Sequence, residues 1–186
     1  MTSVGPEQVI RDYLSASSVL VASQPASGTS GWQSETSVGG LDARSETIQF
    51  GKMRALARRQ VHAGTFTTQA GRRMRFICCV RQDGVGAWQF AGGAGGGADS
   101  GPHRGYPWVN LGGGGWPQHF YAGGQVLEQG AEVARVRLRA ANGTVLEDTV
   151  EDSLVLFLTD DAVQVPIAAE LLDRSGHVLS QHIAMG

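Results

Sequence analysis

Between Glu132 and Ala140 the chain alternates strictly: Ala134, Val136, Leu138 and Ala140 share one face, and Arg135, Arg137 and Arg139 the other. A period of two predicts a strand with an apolar inner face and a cationic outer one. Ala141-Asn142-Gly143 then supplies the left-handed position of a short hairpin loop. With three residues in that loop, Leu138 lies opposite Leu146 and Arg137 opposite Glu147. Ser153 to Thr159, Val163 to Leu172 and His177 to Ala184 continue as strand-like runs, the last two joined by Asp173-Arg174-Ser175-Gly176. Upstream, Met74, Phe76, Cys78 and Val80 alternate with Arg73, Arg75, Ile77 and Cys79, which predicts a half-buried strand. The Asp83-Gly84 turn dipeptide and the following Val85 to Phe90 extend this into a hairpin over Arg72 to Phe90.

The helical period shows near the start of the chain. Pro6 suits a first helical turn, Glu7 favours the positive end of the dipole, and Val9, Ile10, Tyr13 and Leu14 form a stripe, so a short amphipathic helix is expected over 6–17. Ser18 to Gln24 reads equally as helix or strand. Pro25 to Gly40, rich in Ser, Gly and Thr, reads as a surface connection. Ile48 to Gly64 fits either a helix or a strand. Between Gly84 and Gly124 glycine is so dense that ordering the backbone carries a large entropic cost, and a long glycine-rich aromatic loop is expected over 91–124. Short strands at regular spacing then indicate one mainly β domain over 1–186, an antiparallel β-sandwich of immunoglobulin-like or jelly-roll-like type, with its most legible strands over 131–184.

Composition narrows the classes. At 186 residues with 41% hydrophobic and 17% charged side chains, the chain can bury one core without metal or disulfide staples. A net charge of -2 lacks the basic surplus of a general nucleic-acid binder. No apolar run reaches the ~18 residues of a membrane helix, and Met1 to Val9 lacks the pattern of a signal peptide. A cytoplasmic location without membrane insertion is therefore expected. Of the 15 basic residues only Lys52 is lysine, a bias read here as base composition. Cys78 and Cys79 are adjacent, too close for ordinary disulfide geometry, and should point to opposite faces of their strand. Lys52 to Arg81 holds eight cations and no carboxylate, whereas most acids fall between Glu128 and Asp173, so basic and acidic strands are expected as sheet neighbours.

Ala131 to Ala184, with V-A-R-V-R-L-R-A-A-N-G-T-V, L-V-L-F-L, V-P-I-A-A-E-L-L-D and R-S-G-H-V-L, resembles a recurrent bacterial β-sandwich pattern. It pairs a hairpin around Asn-Gly with a closing strand pair around Asp-x-x-Gly. The resemblance implies a fold and carries over no catalytic residue.

Site motifs are mostly broken. Gly93-Ala94-Gly95 has Ala98 where a dinucleotide fingerprint needs glycine, and Gly51-Lys52 is followed by Met53 where a P-loop needs Ser or Thr. His62, His103, His119, His177 and His182 are scattered, and G-x-S-x-G does not occur. These readings call for no cofactor, no metal and no catalytic residue. The least ordinary feature is the polar-aromatic segment from Pro102 to Tyr121. Its His103, Arg104, Tyr106, Trp108, Trp116, His119 and Tyr121 are the candidate binding residues, because flat rings on a glycine-rich backbone give large contact area at small entropic cost. The expected function is a non-enzymatic binding or protein-interaction module for a protein or small-molecule ligand. A small hydrolase or metal-assisted enzyme using His103 and His119 is the alternative. Homo-oligomerisation through an edge strand, with Arg135, Arg137 and Arg139 as its charges, is a third arrangement.

Overall fold

The computed structural model describes residues 4–16, 41–97, 104–115 and 119–186. In chain order the helix α1 (Pro6–Ser15) precedes β1 (Gln49–Leu56), β2 (Arg59–Thr67), β3 (Arg73–Gln82), β4 (Trp88–Gly97), β5 (Trp108–Gly114) and β6 (Tyr121–Leu127). β7 (Arg135–Ala140), β8 (Val145–Thr149), β9 (Leu154–Leu158), β10 (Ile167–Leu172) and β11 (Val178–Met185) complete the chain. Three sheets result, ordered β1-β2-β3-β4, β5-β6-β9 and β11-β10-β7-β8, and the pairs between neighbouring strands are antiparallel.

The core clusters define the stacking. Ile10 and Leu14 of α1, one turn apart and both 0% exposed, pack on Phe66, Phe76, Cys78 and Val80 of the first sheet. The opposite face of that sheet presents Val61, Ala63, Ile77 and Cys79 to Tyr121, Leu154 and Leu156 of β6 and β9. Val109, Leu111, Ala122, Val155 and Phe157 on the far side of the β5-β6-β9 sheet meet Val136, Leu138, Ile167, Ala169 and Leu171. The molecule is thus a mainly β sandwich of three sheets with a helix on one outer face, one sheet more than an immunoglobulin or jelly-roll pair. Its middle sheet is buried on both sides.

Alternation located most strands correctly. Leu138 pairs with Leu146 and Arg137 with Glu147, as the loop length predicts. Cys78 and Cys79 are both free thiols, Cys78 under the helix and Cys79 in the inner layer. β3 is therefore buried on both faces rather than half-buried, because layers cover it from each side. Ile48 to Gly64 resolves as the β1–β2 hairpin. The helix expected over 6–17 ends at Ser15, where Ala16 is already extended. Position 17, Ser18 to Gln24 and Pro25 to Gly40 lie outside the described residues.

The 91–124 segment is the main correction. Its described parts include the end of β4, all of β5 and the start of β6, with 104–107, 115 and 119–120 irregular and 98–103 and 116–118 outside the described residues. Glycine serves close approach there. A Cβ on Gly112 would lie 2.7 Å from the Cβ of Ala94, so the first and middle sheets approach through small residues. Gly92 has φ 146°, and its absent side chain leaves room for the Tyr121 hydroxyl, 2.4 Å from where a Cβ would stand.

Gly92→Ala should destabilise the fold by about 1–3 kcal/mol through backbone strain and the Tyr121 clash. Gly84→Ala, with open space around it and no positive φ, should change stability by less than about 0.5 kcal/mol. Urea unfolding of both variants tests this, and equal effects would refute the close-approach account.

Candidate functional site

The five described candidates of the aromatic segment do not converge. Arg104 and Tyr106 are exposed, and the Arg104 guanidinium lies 4.4 Å from the centroid of the Trp108 ring. Trp108 itself is 5% exposed and Tyr121 7% exposed, so both rings belong to the packed interior. In the β5–β6 register Trp108 pairs with Leu127 and Gly114 with Tyr121, placing the two rings at opposite ends of the ribbon, about 20 Å apart along it. Burial pushes the Tyr121 phenol up to about 12. His103 and Trp116 lie outside the described residues.

His119 stands apart from these. Its backbone φ is 64°, and its Nδ1 lies 3.0 Å from Asp160 Oδ1. Arg59 Nη2 binds the same carboxylate oxygen and donates to the Thr159 carbonyl at 3.0 Å. The hydrogen bond to His119 and the charge of Arg59 hold the Asp160 carboxyl below its ordinary range. This group ties the β1–β2 hairpin to the chain flanking β6 and β9. Among the described residues no three His, Cys, Asp or Glu side chains are grouped to hold a metal ion.

β11 braces the start of β5. Ser180 Oγ donates to the Pro107 carbonyl, and His182 Nε2 lies 3.2 Å from the Val109 carbonyl. A carbonyl only accepts, so Nε2 carries the His182 proton. Burial lowers the pKa of His182, and Arg104 lowers it further. Arg104 and Tyr106 are thus displayed on a segment pinned by a neighbouring sheet.

The charge segregation is resolved differently from expectation. The basic strands β1 and β2 and the acidic segments belong to different sheets, and their charges meet across the rim of the stack. Lys52 on β1 is almost fully buried, with its side chain 2% exposed, and its Nζ lies 2.7 Å from Asp148 Oδ2 of β8 and 3.1 Å from Glu151 Oε1. Its third acceptor is the Thr149 carbonyl. Arg54 Nη2 contacts Asp148 Oδ1 at 2.6 Å and Glu151 Oε1 at 3.4 Å. Asp148 Oδ2 also accepts the Leu156 N–H of β9 at 2.7 Å. All three sheets therefore meet at one carboxylate. Hydrogen bonds from Lys52 and then Thr149 hold the Glu151 carboxyl below its usual value. An open cleft of about 180 Å³ beside the cluster is lined by Arg54, Leu56, Leu146, Asp148, Leu156 and Leu158, among others.

Sequence reading passed over this cluster. Its signal was present, since the chain's one lysine follows Gly51 on a segment that fits a strand, but the carboxylates that meet it are 96 and 99 positions away. On the outer face of the last sheet, Arg135, Glu147, Arg137, Glu170 and Arg139 form a continuous ladder of contacts between 2.6 and 3.4 Å. β7 lies between β10 and β8, so these arginines do not guard an edge. They neutralise their sheet neighbours.

No known protein family, curated protein or solved structure matches the chain. The function must therefore be argued from its own residues.

Burial lowers the pKa of His62 as well as that of His182. Below the ordinary histidine value of ~6.5 the unfolded chain binds protons that the folded chain refuses, so stability should fall as pH drops from there. His62→Phe should flatten the decline in urea midpoint between about pH 7 and 5. An unchanged profile would refute the assignment.

Proposed function

We propose that the protein is a non-enzymatic β-sandwich module that binds a protein partner through the start of β5. The observation that carries this reading is the Arg104–Trp108 stack, with the guanidinium 4.4 Å from the ring centroid, beside an exposed Tyr106. Arg, Tyr and Trp are the side chains that dominate protein interfaces. Stacking limits the motion of Arg104, and the β11 contacts to Pro107 and Val109 limit that of its backbone, so little entropy is lost on binding. Arg104 offers a positive charge for a partner carboxylate, and Tyr106 offers a ring with a polar tip.

Within the candidate set the roles divide. Arg104 and Tyr106 form the contact, Trp108 is its support, and Tyr121 serves the interior. The hydrolase alternative has less behind it: Asp160 orients His119, but His103, its other half, lies outside the described residues.

The double variant Arg104→Ala, Tyr106→Ala should lose capture of partners from a cell lysate while its melting temperature stays within a few degrees of the parent. Trp108→Ala should instead cost about 3–5 kcal/mol, as for a large ring removed from a core. Undiminished capture by the double variant would overturn the reading.

A further inference from the structure

We infer that Lys52 and Asp148 are the two halves of an intramolecular isopeptide bond, formed by condensation of the lysine amine with the aspartate carboxyl group.

Three observations converge on this pair. The first is residue choice: the other 14 basic residues are arginine, and arginines make the ion pairs to Glu132, Glu147, Asp160 and Glu170. A buried ion pair is better served by arginine's planar fork, whereas only a lysine can shed its proton and act as a nucleophile. The second is approach. Nζ lies 2.7 Å from Asp148 Oδ2, and the two side chains are 2% and 6% exposed. Attack requires the amine to give up a proton, and Asp148 Oδ2 and Glu151 Oε1 are the acceptors within its reach.

The third is the surrounding set of groups. Glu151 Oε1, 3.1 Å from Nζ, is placed to take a proton from nitrogen and pass it to the departing oxygen. Arg54 Nη2 on Oδ1 and the Leu156 N–H on Oδ2 place a donor on each carboxyl oxygen. Those donors stabilise the negative charge that builds on oxygen when nitrogen adds to the carboxyl carbon. The balance is simple. The nitrogen lone pair forms a bond to Cγ of Asp148, one C–O bond breaks, and that oxygen leaves as water with two protons that began on the Lys52 ammonium. The amide nitrogen keeps the third proton. No oxidant, reductant or other reactant is required.

The bond would join β1 to β8 at the rim, covalently tying the first sheet to the last across the edge of the middle one. It would also consume the chain's single lysine, which makes the test direct. A protease specific for lysine has one cleavage site in this chain, and an acylated lysine side chain blocks it.

The full-length chain should weigh one water less than its sequence, and after denaturation it should resist lysine-specific cleavage. Arg-specific digestion should then yield a branched peptide joining the Lys52 and Asp148 segments. Lys52→Arg, which keeps the cation, and Asp148→Ala should both restore the full mass. Glu151→Gln should leave a fraction of the purified chain at full sequence mass and cleavable at Lys52. A succinimide at Asp83-Gly84 would also remove a water but would leave Lys52 cleavable and would persist in Lys52→Arg. Full sequence mass with complete cleavage at Lys52 in the unmutated protein would overturn the proposal and leave a buried ion pair.

Discussion

A sheet buried on both faces must also close its two edges. β5-β6-β9 has apolar layers above and below it, so much of the sheet is shielded from solvent on both sides. An edge N–H or C=O left unsatisfied in such a place costs about 1–3 kcal/mol. At the β9 edge Asp148 accepts the Leu156 N–H, and at the β5 edge Ser180 and His182 serve the Pro107 and Val109 carbonyls. The side chains come in each case from an outer sheet. Satisfying the middle sheet therefore sets how the last sheet sits against it.

The charged cluster follows from that requirement. A carboxylate taken to a buried strand edge needs counter-charge, and Lys52 and Arg54 supply it from the first sheet. One hydrogen bond to Leu156 thereby recruits groups from all three layers. At the opposite rim the atoms involved are neutral. There the bracing of β5 leaves Arg104 and Tyr106 outside on a supported segment, which is where the proposed contact surface lies.

Packing distance is the second constraint on the middle sheet. Gly112 opposes Ala94, and the Tyr121 hydroxyl occupies the space beside Gly92, so residues typical of a flexible loop became strand residues between close layers. Their lack of side chains points, in the sequence alone, to a long loop. It was instead the shape required by a neighbouring sheet, and no local pattern distinguishes the two.

What the sequence determined by itself was local: the period-two strands, the helix with Ile10 and Leu14 on one stripe, the Asn142-Gly143 hairpin register with Leu138 opposite Leu146, and the opposite orientation of Cys78 and Cys79. Each depends on backbone geometry over a few residues, so neighbours along the chain suffice to specify it. The tertiary structure decided the number of sheets, the burial of β3 on both faces, the strand identity of the glycine tract, and the meeting of Lys52 with Asp148. It also divided the aromatic candidates between surface and core, because the burial of Trp108 or Tyr121 depends on which distant layer covers it, and an alternating pattern carries no record of that.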